Sequence, residues 1–330
     1  MKVLKFGVLI VGIGFGVALA QSKYALSSGL GFEFQRLNNC GPVTAKMALS
    51  LAGIRVSQAE AAAALKGSYP DRNVTTPELA NYLQANGLQT IRRWLITPDL
   101  VRSLVKADFA VILHQQQKTN SDIGHFRVAY GFDPNAIISG DSMFGAKFRL
   151  TNREFAIVSK PYNGEYLIAY RPKQRAALQK ILGKNWNRQL NLERLEQNSR
   201  LRLKKAPSDS AAWWGLGQAY LYQGLTKSSA KAFSQSHNLG LTARQYWYQH
   251  DAFEAWNKAG LYQQTIRVAA VALKGYPNSR EINAYYATAL EQLGQYKKAL
   301  TAWQAAAKED PRSSQVQIAI QRLTRKIEKR

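Results

Sequence analysis

A 34-residue period in the C-terminal part of this chain limits its fold more than any other sequence feature. The period runs from about residue 207 to the C-terminus and is carried by glycine, tyrosine and proline. The recurring residues are Gly260 and Gly294, Tyr262 and Tyr296, and Pro277 and Pro311. One unit earlier, Trp213, Leu216, Gly217, Tyr220 and Gly224 lie at corresponding places. Because this region has little strand character, the pattern predicts pairs of helices that stack on one another.

A helix–turn–helix unit of this length is typical of tetratricopeptide repeats. Each such unit buries its apolar face only against its neighbours, so three units are the smallest stable stack. The sequence predicts three repeats over residues 207–330, closed by a terminal helix from about Ser314. An irregular helical bundle is the alternative.

The first twenty residues have the pattern of a cleavable secretory signal. Lys2 and Lys5 precede an uncharged apolar run over residues 6–19, and Ala18-Leu19-Ala20 is a small-x-small cleavage site. A membrane anchor is the alternative, but the run is shorter than the roughly 20 residues that span a bilayer. We therefore expect an exported protein without a membrane span after cleavage. Residues 21–31 are expected to form a leader before the first domain.

Residues 32–170 predict an α+β domain, with helices first and strands afterwards. Apolar residues recur at helical spacing over residues 42–52, 57–65, 75–85 and 98–106. Short apolar or alternating runs at 109–113, 126–130, 136–139, 148–150 and 166–170 predict a mainly antiparallel sheet. Residues 171–206 are expected to form a basic helical linker to the repeats.

Cys40 is the only cysteine of the chain. Exported proteins use cysteines mostly in disulfides, so one cysteine is a reactive thiol, an intermolecular link or a small buried hydrophobe. Gly41 and Pro42 predict that a helix starts here, and a helix N-terminus favours a thiolate.

A downstream histidine and aspartate complete the residue set of a thiol nucleophile with its base. His125 begins an alternating strand, and Asp141 lies on or after the next strand, so antiparallel pairing can bring the two side chains together. Asp133 is a rival for the third position. The Cys40 N–H and the Gln35 side chain are candidate donors to an oxyanion.

These residues resemble the bacteriocin-processing (double-glycine leader) peptidase family, whose members have a papain-like cysteine peptidase fold. The resemblance covers about residues 30–155, and it implies that Cys40 is the nucleophile, His125 the base and Asp141 the residue that orients it. Gln35 corresponds to the family's oxyanion glutamine, although it stands five residues before Cys40 rather than six. Ser142 follows Asp141, where many relatives have proline. The transporter relatives carry membrane spans and an ATP-binding domain, and this sequence shows neither.

The chain has a formal net charge of +24, which favours acidic partners. Residues 171–206 alone contain eleven Lys and Arg against two Glu. No nucleic-acid motif, metal-ligand spacing or phosphate loop accompanies this charge, so no specific nucleic acid, metal or cofactor is expected. We expect the repeats to offer a concave basic groove to an acidic segment of a protein partner or substrate.

Together these observations favour an exported papain-like thiol hydrolase, and among such enzymes a cysteine peptidase. Two alternatives stay open. One is a binding or scaffold protein whose papain-like domain is weak or inactive. The other is a thiol amidase or acyltransferase that acts on envelope material through the same nucleophile.

Overall fold

The computed structural model describes residues 24–25, 29–67 and 73–329. The predicted signal peptide, residues 1–20, lies outside the described residues, as does most of the predicted leader.

The N-terminal domain is built on one antiparallel sheet. Its strands are β1 (Tyr24–Ala25), β2 (Gln89–Arg93), β3 (Val111–Gln116), β4 (Gly124–Asp133), β5 (Ala136–Asp141), β6 (Gly145–Thr151) and β7 (Tyr166–Tyr170). The spatial order is β2-β7-β3-β4-β5-β6, and β1 pairs with the end of β4. The long hairpin of β4 and β5 therefore lies between β3 and β6.

Helices cover both faces of this sheet. They are α1 (Cys40–Leu51), α2 (Gln58–Leu65), α3 (Thr76–Ala85), α4 (Pro98–Lys106), α5 (Asn152–Ser159) and α6 (Arg175–Leu182). Because side chains alternate along a strand, Ile112 and Leu167 pack against α1 to α3, whereas Val111 and Ile168 pack against α4 to α6. The predicted α+β class and the four N-terminal helices are confirmed.

Local sequence signals fix several of these helix ends. Ser57 and Glu60 form the capping box that starts α2, and Thr75 and Glu78 form another at α3. Three elements, β1, β2 and α5, have no counterpart among the predicted ones. The sequence of β2 is too polar to show a strand pattern. Its Arg92 nevertheless points inward, because it pairs with buried Glu165.

The C-terminal region consists of stacked helical hairpins. Its helices are α7 (Arg188–Lys205), α8 (Ser210–Tyr222), α9 (Thr226–Asn238), α10 (Asp251–Lys258), α11 (Tyr262–Gly275), α12 (Arg280–Gln292), α13 (Tyr296–Glu309) and α14 (Ser314–Glu328). Gly260 and Gly294 turn the chain between paired helices with φ of 77° and 73°, a conformation that glycine adopts without strain. This explains why glycine recurs with the 34-residue period.

The middle repeat departs from the regular pattern. Its first helix, α10, has 8 residues, whereas α8 and α12 have 13 each. Residues 239–250, which we call the irregular connection, replace the missing turns with a short 3-10 segment, Ala243–Trp247. Thr242 and Arg244 of this connection bond to Asp122, in the loop between β3 and β4. These two bonds hold the irregular connection beside the start of β4.

The segment expected as a linker packs closely against the N-terminal domain. Leu178 and Leu182 of α6 belong to the core of the sheet. In α7, the buried amide of Asn191 accepts from Trp94 N and donates to Trp94 O, each at 3.1 Å. These bonds satisfy both backbone groups of Trp94, which follows β2.

Within the described residues, no helix is long and apolar enough to cross a membrane.

Replacing Asn191 by alanine is expected to lower the free energy of unfolding by about 2 kcal/mol, because two buried backbone groups of Trp94 lose their partners. Urea denaturation followed by tryptophan fluorescence measures this change. Asn198→Ala, on the exposed side of the same helix, is the matched control and should shift stability by less than about 0.5 kcal/mol. Equal effects of the two substitutions would contradict the assignment.

Candidate active site

Cys40 is the first residue of α1 and is partly buried. The Thr44 hydroxyl donates to Phe126 O at 3.2 Å, which ties the first turns of α1 to β4. The N-cap residue, Asn39, makes no side-chain capping bond to this helix. The partial positive charge of the helix N-terminus therefore remains directed at the thiol.

Buried Gln58 fixes the segment that leads into Cys40. Its Oε1 accepts from Arg36 N at 2.7 Å and from Asn39 Nδ2 at 3.0 Å. Its Nε2 donates to Glu33 Oε1 at 2.8 Å and to Phe34 O at 3.1 Å. One side chain of α2 thus orders residues 33–39, which form one wall of the site.

The structure brings His125 and Asp141 together, as the pairing of their strands predicts. His125 is the second residue of β4, and Asp141 is the last residue of the adjacent β5. His125 Nε2 lies 3.0 Å from Asp141 Oδ1, and both side chains are buried. The bond leaves the other ring nitrogen, Nδ1, for Cys40, which also hydrogen-bonds to the His125 side chain.

Asp141 carries a buried negative charge that several donors stabilise. Arg127 Nε donates to Oδ2 at 2.5 Å, and the backbone N–H groups of Met143 and Phe144 donate to Oδ1 at 2.8 and 3.1 Å. Burial raises the pKa of Asp141, but its bond to His125 and the nearby positive charges outweigh burial and lower the pKa to about 2. The carboxylate is therefore ionised at every pH near neutrality.

Arg127 is a site residue that the sequence reasoning missed. It is fully buried and also donates to Gln115 Oε1 at 3.1 Å, to Gln116 O at 3.0 Å and to Gln117 O. A signal was present, because Arg127 lies two residues after His125 and therefore on the same face of β4. A charged residue among the apolar residues in the middle of a buried strand indicates a buried partner.

The charges favour a thiolate–imidazolium pair. Burial raises the pKa of the Cys40 thiol, but the hydrogen bond with His125 and the charge of its ring outweigh burial, so the pKa is lowered. Burial lowers the pKa of His125, whereas its bonds to Asp141 and Cys40 raise it by more. Each partner thus favours the charged form of the other.

Gln35 lies beside Cys40 and is held by Ser142. Its backbone N–H donates to Ser142 O at 2.9 Å, and its side-chain Oε1 accepts from the Ser142 hydroxyl at 2.7 Å. Because Oε1 is occupied, Nε2 is the end of this amide that remains to donate to a bound group. Ser142 thereby orients the amide of Gln35.

Cys40, His125, Gln35 and Ser142 line an open cavity of about 510 Å³, which we call the Cys40 cleft. Phe34, Leu37 and Met143 give it an exposed apolar rim. Tyr248, from the irregular connection, lines the same cavity, so both domains form its walls. Gly124 is required there, since a Cβ would lie 2.6 Å from the Tyr248 ring.

The rival carboxylate lies outside this site. Asp133 accepts from Arg149 at 2.7 Å and from Asn135 N at 2.9 Å, in the turn between β4 and β5. His114 is buried, and its Nδ1 lies 2.8 Å from Glu165 Oε2. In residues 29–67 and 73–329, no group of three or more His, Cys, Asp or Glu could hold a metal ion.

A second cavity, of about 490 Å³, lies between the first helices of the repeats and the N-terminal domain, and we call it the interdomain cavity. Its charged lining residues are the acids Glu78, Glu165, Asp251, Glu254 and Glu281, and the bases Arg92, Arg188 and Arg280. The basic groove expected for the repeats is therefore not found here. Net charge sums the whole surface, whereas only the inward-facing residues of α8, α10 and α12 line this groove.

The N-terminal antiparallel α/β domain resembles C39 peptidase domains, and the helical region that follows it resembles tetratricopeptide-repeat proteins. Residues 22–166 match the sequence model of the Peptidase_C39 like family, which confirms the resemblance inferred from the sequence. A comparison with curated proteins finds no significant match.

Solved structures of both classes are similar to this chain. The peptidase domain of Streptococcus ComA, a bi-functional ABC transporter, is 16% identical over 42% of this chain and 96% of that chain, with a TM-score of 0.36. A double glycine motif protease from an AMS/PCAT transporter, in complex with its leader peptide, is 19% identical over 45% and 98%, with a TM-score of 0.35. YrrB, a TPR protein with an unusual peptide-binding site, is 18% identical over 42% and 71%, with a TM-score of 0.38.

The Cys40 thiol is expected to titrate below the ordinary value of about 8.5, because His125 stabilises the thiolate. The rate of alkylation by iodoacetamide as a function of pH, followed by intact mass, measures this pKa. In His125→Ala the pKa should rise toward the ordinary value. His237→Ala, in the repeats, is the control and should leave it unchanged. An ordinary pKa in the unmodified protein would contradict the ion pair.

Proposed function

We propose that this protein is an exported thiol hydrolase, and specifically a cysteine peptidase. The observation that supports this most directly is the chain of hydrogen bonds from Cys40 through His125 to Asp141 at the wall of an open cleft. The match of residues 22–166 to a peptidase-like family supports the same reading.

In the proposed reaction, the Cys40 thiolate attacks the carbonyl carbon of an amide bond. The negative charge that develops on the carbonyl oxygen is stabilised by the Cys40 N–H and by the Nε2 donor of Gln35. His125, protonated at the start, gives its proton to the departing amine as the carbon–nitrogen bond breaks. A thioester on Cys40 and a free amine result.

Water then completes the cycle. Neutral His125 takes a proton from a water molecule that attacks the thioester carbonyl. The carbon–sulfur bond breaks, the carboxylic acid is released, and the thiolate–imidazolium pair is restored. Throughout both steps, Asp141 holds the ring by Nε2 and stabilises its positive charge.

Export is proposed on the sequence pattern of residues 1–20, which has the basic start, apolar run and small-residue site of a cleavable signal.

The repeats are proposed to bind the substrate together with the N-terminal domain. Tyr248 lines the Cys40 cleft, and bonds from Thr242 and Arg244 to Asp122 hold the irregular connection in place. A substrate in the cleft therefore contacts the repeat region as well as the peptidase-like domain.

Hydrolysis of a quenched-fluorescence peptide library tests the proposed activity. We expect cleavage that is lost in Cys40→Ala and that depends on pH in a bell shape. Activity should rise as Cys40 loses its proton, at a pH below the ordinary thiol pKa. It should fall as His125 loses its proton, at a pH above the ordinary imidazole pKa.

Gln35→Ala should lower kcat by about 100-fold, the usual effect of removing one oxyanion donor, and should leave the alkylation pKa of Cys40 unchanged. Ser103→Ala, on the exposed side of α4, serves as the control. A reactive thiol that cleaves no peptide would favour the scaffold or the amidase and acyltransferase alternatives.

Tyr248→Ala is expected to raise KM for cleaved peptides by about tenfold, because a wall of the cleft is removed, while kcat changes little. Steady-state kinetics on the best library peptide measure both constants. Tyr262→Ala, elsewhere in the repeats, is the matched control. If KM is the same in all three proteins, the repeats do not take part in substrate binding.

A further inference from the structure

The interdomain cavity contains buried hydrogen-bond acceptors that the described part of the chain does not satisfy. Gln218 Nε2 donates to Asp251 Oδ2 at 2.8 Å, and this bond fixes the orientation of the amide. Its Oε1 is left without a partner in the described residues, although the side chain is 2% exposed. If the amide were flipped, its oxygen would face the Asp251 carboxylate, and two acceptors would repel each other. The amide therefore keeps its orientation, and Oε1 keeps no partner in the described residues.

Two further buried side chains of this cavity have a polar atom without a partner in the described part of the chain, and one of these atoms is an acceptor. Gln249 is 6% exposed, and its Oε1 has no hydrogen-bond partner among the described residues. His250 Nε2 is a third buried atom without one. All three residues line the same cavity. Because buried polar atoms are nearly always hydrogen-bonded to protein, water or ligand, these three atoms make the cavity able to hydrogen-bond a group that enters it.

The charges of the cavity define the chemistry of that group. Its lining has five carboxylates against three guanidinium groups. Arg92 pairs with Glu165, Arg280 is shared between Glu78 and Glu281, and Glu254 pairs with Lys258 of its own helix. One carboxylate of the Arg280 cluster and Asp251 then face a single further guanidinium, that of Arg188, so a small excess of negative charge remains. The complementary ligand is therefore positively charged and rich in N–H donors.

Asp251 is the carboxylate best placed to attract such a ligand. It accepts from Gln218 Nε2 and from the Tyr222 hydroxyl, each at 2.8 Å, and both donors are neutral. No ion pair to Asp251 occurs among residues 29–67 and 73–329. Arg92 and Arg188 line the same cavity, but neither forms an ion pair with Asp251. The Asp251 carboxylate thus lies in the cavity without a direct counter-charge from the described residues, hydrogen-bonded to the same Gln218 side chain whose oxygen lacks a partner among them.

We propose that the interdomain cavity binds an organic cation of the alkylguanidinium or alkylammonium class. The Oε1 atoms of Gln218 and Gln249 would accept its N–H groups, and Asp251 would balance its charge. The volume of about 490 Å³ lies in the range of small-ligand sites. The proposal is independent of hydrolysis, since none of these three residues belongs to the Cys40 cleft.

Isothermal calorimetry with agmatine, on the full-length protein, tests this proposal. We expect saturable binding that weakens at least tenfold in Gln249→Met and in Asp251→Asn, because the ligand loses an acceptor or its counter-charge. Gln235→Met, on the exposed side of α9, is the matched control and should bind as the unmodified protein does. Gln249→Met removes an unsatisfied buried oxygen, so its thermal midpoint should be unchanged or higher, which separates lost binding from unfolding.

Two further probes identify what is recognised. N-butylurea has similar N–H donors without the charge and should bind at least tenfold more weakly than agmatine. Acetyl-Ala-Arg-Ala-amide compares a peptide side chain with a free cation. Tighter binding of the peptide assigns the site to a basic side chain of a polypeptide, and tighter binding of agmatine assigns it to a free cation. Absence of agmatine binding, equal binding of N-butylurea, or unchanged affinity in Gln249→Met would each overturn the proposal.

Discussion

The ionised carboxylate of Asp141 is the group on which the candidate site depends. A buried charge is stable only when donors surround it, and here one oxygen faces His125 while the other faces Arg127. Because the pKa of Asp141 is held at about 2, its charge persists over the whole range in which proteins normally function. That charge favours an imidazolium, and the imidazolium in turn favours a thiolate at Cys40. The charged forms of His125 and Cys40 therefore both depend on Asp141, at the end of β5.

The end of β5 and the first residue after it position two different groups of the site. Asp141 orients the base, and its neighbour Ser142 holds the amide of Gln35 on the opposite side of the cleft. A proline at this position could offer no hydroxyl, so the serine gives this chain a contact that a proline would lack. On the other wall, buried Gln58 fixes the backbone that carries Gln35 toward Cys40. The cleft is thus shaped by the hydrogen bonds of neutral side chains, Ser142 and Gln58, as well as by its charges.

Much of the N-terminal fold could be predicted from the sequence, because its helices and strands bury regular apolar patterns. The positions of Cys40, His125 and Asp141 follow from a helix start and from the pairing of two adjacent strands. Their roles remain a proposal. The contribution of Tyr248 could not be predicted, since it depends on how an irregular connection docks on a distant loop. The acidic lining of the interdomain cavity could not be predicted either. Charge counted along a sequence does not reveal which residues of a helix face inward.

The irregular connection also has a consequence for the order in which the protein matures. The chain is synthesised from its N-terminus, and domains generally fold as units in that order. The sheet, α1 and the pair of Cys40 and His125 are complete before residue 248 has been made. Tyr248 becomes part of the cleft only when the second repeat has folded and docked. A nascent chain that ends before the repeats therefore carries the reactive residues without the finished cleft, and the later-made repeat region decides when that cleft is complete.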